Sequence, residues 1–196
     1  MHNVTTMGIN SPPYRRTTTP ANGVVGMLLF VVTEIMFFAG LISAFIVTRA
    51  GVVWPPPDQP RLPVEATAIN TLILLASGFA LRRAHAAFVN FDLDQTRKLL
   101  ALAIGLGALF VTFQGYEWIR LISFGLTMRS STYGSFFYLL IGAHALHAVA
   151  AIIALIYCWR QLTRSELSRV RFSAVQVFWY FVVLLWPILY VLVYVL

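Results

Sequence analysis

The chain has 196 residues, of which 59% are hydrophobic and only 11% charged. About a quarter of the residues of an ordinary soluble domain are charged, so this composition excludes that class and indicates a membrane protein. The net charge of +7 comes from short basic clusters beside apolar runs and not from an aromatic-interleaved basic stripe, which argues against a nucleic-acid partner.

The apolar runs predict the fold. Each run is long enough, with flanking residues in the second and third, to cross a hydrocarbon layer of about 30 Å as a helix. We predict an all-α bundle of five transmembrane helices, at about residues 23–48, 65–88, 98–119, 133–159 and 172–195. Residues 1–20 form a polar N-terminal tail, and residues 21–196 form a single transmembrane domain. Small residues at helical spacing, such as Ala101 with Gly105, indicate close helix packing.

The first predicted helix carries one ionisable residue, Glu34, near its middle. An acid at mid-bilayer depth is expensive, so it is expected to face other helices or a cavity with a partner. A neutral carboxyl that donates a single hydrogen bond between helices is the simpler alternative. Glu34 is therefore a candidate functional residue by its depth alone.

The distribution of basic residues predicts how the bundle lies in the membrane. Of the 14 Lys and Arg residues, ten fall in the tail and in the second and fourth loops, and four fall in the first and third loops. By the positive-inside rule, the N-terminus is cytoplasmic and the C-terminus lies outside. Arg49, Arg82 and Arg83 stand near helix ends, where they could bind lipid phosphate groups or simply extend to the interface.

A second acid, Glu117, follows the third apolar run in the segment FQGYEWIR. It stands three residues before Arg120, so an exposed ion pair of little energetic consequence at the outer interface is one interpretation. A functional acid is the other, and the two remain open.

The fourth predicted helix contains His144 and His147, three residues apart and so on one helix face. Two imidazoles could form a metal or proton site, but a haem or copper centre needs more ligands, and His2 and His85 lie in the tail and near a span end. We therefore predict no metal site in this chain. Either both rings hydrogen-bond across helices, or one pairs with Glu34 and shares a proton with it.

Five segments together resemble the cytochrome c oxidase subunit III family of the haem-copper terminal oxidases, in its short bacterial form with five helices. They are TEIMFFAGLISAF at 33–45, WPPP at 54–57, FQGYEW at 113–118, STYGSFFYLLIGAHALHA at 131–148 and WYFVVLLWPILYVLVY at 179–194. Each segment is a weak signal alone, but their order and spacing agree with the family over most of the chain.

The resemblance implies a core subunit without a catalytic centre of its own in the bacterial plasma membrane. Haem and copper would be held by a neighbouring subunit I, with subunit II as a further partner, in a complex that reduces oxygen to water while pumping protons. Subunits of this family are expected to protect the catalytic subunit and to bind phospholipid. In this comparison Glu34 matches the family's buried glutamate, Glu117 its second glutamate, and His144 and His147 its paired histidines.

One departure from the family pattern leaves alternatives open. The last helix usually reads W-H-F-V-D, whereas here Trp179 is followed by Tyr180, and Val183 stands in place of the aspartate. A quinol oxidase, or an accessory subunit associated with nitric oxide reductases, is therefore an alternative. A small proton-coupled transporter is disfavoured because the chain has no evident inverted repeat and an odd number of spans. A scaffold or assembly protein is a further possibility.

Overall fold

The computed structural model describes residues 20–50, 64–123 and 132–195, with side chains from 22–50, 64–123 and 134–195. This part of the chain is helical except for the turns at 90–92 and 164–168, and it contains no strand. The helices are α1 (Pro20–Ala50), α2 (Val64–Val89), α3 (Leu93–Ser123), α4 (Thr132–Thr163) and α5 (Arg169–Tyr190), and α5 ends in a π-helical turn, Val191–Val195. All five helices are long and apolar enough to cross a membrane, which confirms the predicted fold class.

Each predicted span lies within one helix, but the helices extend beyond the apolar runs. The start of α3 shows why, because Asp92 caps it: its Oδ1 accepts a hydrogen bond from the backbone N–H of Gln95 at 3.0 Å. A capped helix begins where its first N–H groups are satisfied, regardless of where the hydrocarbon layer begins. The membrane orientation remains the prediction made above from the basic residues.

Helix α5 occupies the centre of the bundle. It packs against α1, α2 and α4, while α3 pairs closely with α2 and also contacts α4. The two largest fully buried side chains, Trp179 and Trp186, both belong to α5.

The short turn between α2 and α3 is tied to the start of α5. Phe91 adopts a left-handed backbone conformation, with φ of 62°, and the Arg169 guanidinium lies 4.9 Å from the centre of its ring. Arg169 Nη2 also donates to the carbonyl of Val89 at 3.2 Å. These contacts hold the α2–α3 hairpin against the central helix at this end of the bundle.

Helix α1 lies at the edge of the bundle, and Phe38 and Phe45 are its buried side chains among those described. They stand seven residues apart, and the partly buried Val31, Glu34 and Leu41 complete one stripe with alternating spacings of three and four. This spacing is typical of one helix face packed against a neighbour. Glu34 therefore lies on the face of α1 that packs against the bundle.

The small-residue prediction for α3 is wrong. A side chain added at Gly105 would meet nothing within 4 Å, and Ala101 is exposed. The close approach occurs at Gly107, where an added Cβ would lie 2.7 Å from Cη2 of Trp179. Helical spacing identified a stripe of small residues but not the neighbour that this stripe faces.

Candidate functional site

An acid and an imidazole meet in the described bundle between α1 and α4. Glu34 Oε2 lies 2.9 Å from His147 Nε2, and the two side chains are 17% and 15% exposed. Glu34 is near the middle of α1, so this contact lies well away from both helix ends. Of the two candidate histidines, His147 is the one that contacts Glu34.

The second nitrogen of His147 defines the protonation of this pair. His147 Nδ1 lies 2.7 Å from the carbonyl oxygen of Ala143, which can only accept, so we assign the hydrogen to Nδ1. One further proton then lies between Glu34 and Nε2. A hydrogen bond between the two groups needs this proton, on either the carboxyl or the imidazole.

Aromatic rings surround the Glu34–His147 pair. The His147 ring centroid lies 5.4 Å from that of Phe38 and 6.3 Å from those of Phe178 and Phe181. Apolar surroundings strengthen a hydrogen bond and make an unpaired polar group costly. Water is therefore a poor alternative hydrogen-bond partner for either group, and the pair joins α1 to α4.

His144 occupies a different environment from His147. Its side chain is buried, with the ring centroid 5.0 Å from Trp186 and 6.3 Å from Phe110. Within the described part of the chain, neither of its ring nitrogens has a hydrogen-bond partner. Residues three apart point about 60° away from each other around a helix axis, which in a packed bundle is enough to direct them to different neighbours.

These residues do not fit a haem or copper centre. Among the residues that the structure describes, no group of three or more metal-ligating side chains comes together. Both nitrogens of His147 are engaged by Glu34 and Ala143, and His144 is enclosed by aromatic rings. The chemistry that this site supports is the sharing of one proton and the joining of helices.

The second acid, Glu117, is largely enclosed. Its side chain is 16% exposed, and its Oε1 lies 4.0 Å from Nη1 of Arg120, the upper limit for an ion pair. It lines a cavity of about 190 Å³ between α2 and α3, together with Asn70 and Gln114. The structure thus does not bring Glu117 to the Glu34–His147 pair.

The candidate lipid-binding arginines are spread over several surfaces. Arg82 lines a groove of about 600 Å³ between α2 and α5, where Gln176 and Tyr180 also lie. The guanidinium of Arg83 lies 5.6 Å from the ring centroid of Phe79, and Arg49 is in the last turn of α1.

The positions that depart from the family pattern border this same groove. Tyr180 Oη accepts a hydrogen bond from Gln176 Nε2 at 2.7 Å, so a polar contact persists within α5. Val183 packs against Gly78, where an added Cβ would lie 3.1 Å from Cγ1 of Val183. A close helix contact therefore occupies the place of the family's aspartate.

Sequence reasoning missed three buried polar residues on α2 that bond to neighbouring helices. Asn70 Nδ2 donates to the carbonyl of Phe110 at 3.1 Å, and Ser77 Oγ donates to that of Ala103 at 2.8 Å. Thr71 Oγ1 accepts from the indole N–H of Trp186 at 2.9 Å. Asn70 and Ser77 stand seven residues, or about two helical turns, apart, and this spacing was the available signal for a shared face, which meets α3. Thr71 follows Asn70 directly, so it points about 100° away and meets α5.

We expect a Thr71→Val substitution to weaken the bundle by about 1 kcal/mol, because the buried indole N–H of Trp186 would lose its acceptor. The measurement is the thermal unfolding midpoint of the purified protein. Thr112→Val is the matched control, since Thr112 bonds within its own helix to the carbonyl of Ala108 and is exposed. Equal midpoints for the two variants would contradict the expectation.

Fold and site together define a multi-pass helical membrane protein with an acid–imidazole pair at mid-depth. The family model described as "Cytochrome c oxidase subunit III" matches residues 15–196. A relative from Mycobacterium leprae, named "Probable cytochrome c oxidase subunit 3", is 35% identical over 175 residues, covering 87% of this chain and 86% of the relative. A protein named "Cytochrome c oxidase subunit 3" from Synechocystis is 32% identical, and the match covers 87% of this chain and 74% of the relative. A protein of the same name from Pelomedusa subrufa is 36% identical, and the match covers 86% of this chain and 67% of the relative.

The chain belongs to the cytochrome c oxidase subunit III family. It is a subunit III of a haem-copper oxidase, and as such it functions in a complex with other oxidase subunits.

Proposed function

We propose that this chain is the non-redox core subunit III of a proton-pumping terminal oxidase in a bacterial plasma membrane. It supports and stabilises the catalytic subunit I, which would hold haem and copper, and it binds phospholipid; subunit II is a further partner. The observation that carries this proposal is the 2.9 Å contact between Glu34 and His147, which joins a peripheral helix to the bundle without forming a redox centre.

The stabilising role follows from the limited packing of α1. Phe38 and Phe45 are its buried side chains among those described, and the Glu34–His147 hydrogen bond adds a polar contact from this helix to α4. Among the described residues, the Glu34–His147 pair belongs to no cluster of three or more metal-ligating side chains. Its contribution is therefore to the shape and durability of the subunit, and through it to those of the complex.

The lipid-binding role is supported by the groove between α2 and α5. Arg82 places a positive charge beside an otherwise mostly apolar surface formed by residues such as Leu75, Phe79 and Leu184. A guanidinium next to an apolar groove matches the phosphate and acyl chains of a phospholipid. In the predicted topology, Arg83 would add positive charge on the same side of the membrane as Arg82, and Arg49 would add it on the opposite side.

A second candidate assignment follows from Tyr180 and Val183. Tyr180 is bonded within its own helix and Val183 packs closely against Gly78, so both positions differ from the polar residues of the family pattern. The complex that contains this chain would then be a quinol oxidase, or the chain would be an accessory subunit associated with a nitric oxide reductase. The names of the relatives favour the cytochrome c oxidase.

Purification of the tagged chain in a mild detergent tests the proposal. We expect haem absorbance, oxygen consumption with reduced cytochrome c, and the other oxidase subunits to purify with it. Oxygen consumption with quinol alone, or nitric oxide consumption, would identify the second candidate. A haem-free protein that transports a solute in liposomes would overturn both.

A further inference from the structure

Three polar side chains lie together in the groove of about 600 Å³ between α2 and α5, which we call the α2–α5 groove. They are Arg82 on α2 and Gln176 and Tyr180 on α5, and the rest of the lining is apolar. The phospholipid role proposed above uses only the charge of Arg82. Gln176 and Tyr180 are therefore polar groups of the groove to which that role gives no ligand.

The polar groups of the α2–α5 groove offer more hydrogen-bond donors than acceptors. Gln176 Nε2 donates to Tyr180 Oη at 2.7 Å, and within the described ranges no acceptor meets the second amide hydrogen or the phenol hydrogen. Among the same residues, the guanidinium of Arg82 has no hydrogen-bond or ion-pair partner. The one unused acceptor of the three side chains is Oε1 of Gln176. A complementary ligand therefore carries acceptors and few or no donors.

The depth of Tyr180 restricts the charge of this ligand. Tyr180 stands two residues before the centre of the 27-residue span Arg169–Val195, or about 3 Å along the helix. The hydrocarbon layer extends about 15 Å to either side of its midplane, so a phosphate or carboxylate would have to leave the head-group region to reach this hydroxyl. An ion is costly at that depth, and the ligand that contacts Tyr180 should therefore be uncharged.

The surroundings of the α2–α5 groove favour a small molecule over a helix of another subunit. Within a membrane, the backbone carbonyl groups of a helix are bonded inside that helix, so they are poor acceptors for Tyr180 and Gln176. Phe79 and Leu184, which line the groove, are 60% and 65% exposed, so the groove opens to the surface of the bundle. An uncharged molecule dissolved in the bilayer can therefore enter the groove from the side.

We propose that the α2–α5 groove binds the ring of an isoprenoid quinone. A quinone is uncharged and soluble in hydrocarbon, and its two ring carbonyl oxygens accept hydrogen bonds. One of them would accept from Tyr180 or Gln176 and the other from the guanidinium of Arg82, while the isoprenoid tail packs along Phe79 and Leu184. A groove of about 600 Å³ is in the usual size range of small-molecule sites. Binding requires no electron transfer and does not depend on which terminal oxidase the chain serves.

Photolabelling of the purified complex with an azido-substituted quinone tests the proposal. The label is read on the peptides of this chain, so quinone sites in other subunits do not contribute. We expect label on the groove-lining segments of α2 and α5, and we expect excess decylubiquinone to suppress it. Decylbenzene carries a similar tail but no carbonyl group, so it should compete about tenfold less effectively. Absence of label from these segments, or equal competition by the two compounds, would overturn the proposal without any mutation.

A matched pair of variants assigns the binding to the polar groups of the groove. Tyr180→Phe keeps the ring but removes the hydroxyl, so labelling should need about fivefold more azidoquinone, the effect of one neutral hydrogen bond. Tyr157→Phe is the control, because Tyr157 makes the same kind of contact with Gln161, at 2.8 Å, but lies on α4 outside the groove. It should label as wild type. Equal labelling of the two variants would contradict the assignment.

Competition with a phospholipid separates the quinone from the phospholipid proposed for the same groove. Excess phosphatidylglycerol should displace little of the label, because its phosphate stays in the head-group region beside Arg82 and does not reach Tyr180. Complete displacement would show that phospholipid fills the groove along its whole length, and it would overturn the quinone assignment. Haem content is recorded in every sample, so a failure of the oxidase assignment is distinguished from a failure of this site.

Discussion

A Glu34→Ala substitution will leave the initial rate of oxygen consumption largely intact but will shorten the time over which the complex retains activity. The initial rate should persist because the described residues around Glu34 form no redox or metal site. The lifetime should fall because His147 Nε2 loses its partner in an aromatic environment, at a cost of about 1–3 kcal/mol in α1 packing. Oxygen-electrode progress curves under continuous turnover measure both quantities.

Two variants serve as controls for this experiment. Glu34→Gln retains a side-chain N–H that can donate to His147 Nε2, so its activity should decay more slowly than that of Glu34→Ala. Thr33→Ala changes an exposed neighbour that bonds only to the carbonyl of Phe30 in its own helix, and it should behave as wild type. An immediate and complete loss of activity in Glu34→Ala would instead place this residue in the chemistry.

The second large effect is expected at Gly107, where α3 meets α5. In Gly107→Ala the new Cβ would lie 2.7 and 2.9 Å from Cη2 and Cζ2 of Trp179, and 3.5 Å from Cγ1 of Ile152. Trp179 is completely buried, so its ring has no space to move away. We expect destabilisation of about 1–3 kcal/mol, seen as a lower unfolding midpoint and less subunit in the membrane.

Gly105→Ala is the matched control for Gly107→Ala. An added Cβ at Gly105 meets nothing within 4 Å, and alanine is the better helix former, so stability should be unchanged or slightly increased. Equal losses in the two variants would show that the effect comes from the helix backbone and not from contact with Trp179.

The fold could be predicted because apolar runs of membrane-spanning length constrain the chain strongly. The Glu34–His147 contact could be predicted only in part. Polar groups at similar depth are expected to meet, so a contact between Glu34 and one of the two histidines could be predicted. Which histidine makes the contact depends on how α4 is rotated about its axis. That rotation is set by packing against α1, α3 and α5, which the sequence of one helix does not contain.

The cavity between α2 and α3 that Glu117 lines was missed for a different reason. Asn70 and Gln114 are single polar residues within apolar runs, and each alone is compatible with an isolated hydrogen bond between helices. Only the packing of α2 on α3 brings them together with Glu117. The exposure of Gly105 illustrates the same limit, since a lipid-facing row of small residues has the same spacing as a packed one.

The position of α1 at the edge of the bundle has a consequence for biosynthesis. Glu34 and its partner are separated by 113 residues, and α1 packs mainly on α5, the last helix to be made. At about 5–20 residues per second, the ribosome needs roughly 10 s to reach the histidine after it has synthesised the acid. During that interval the first helix carries a carboxyl group whose imidazole partner in the finished bundle has not yet been made.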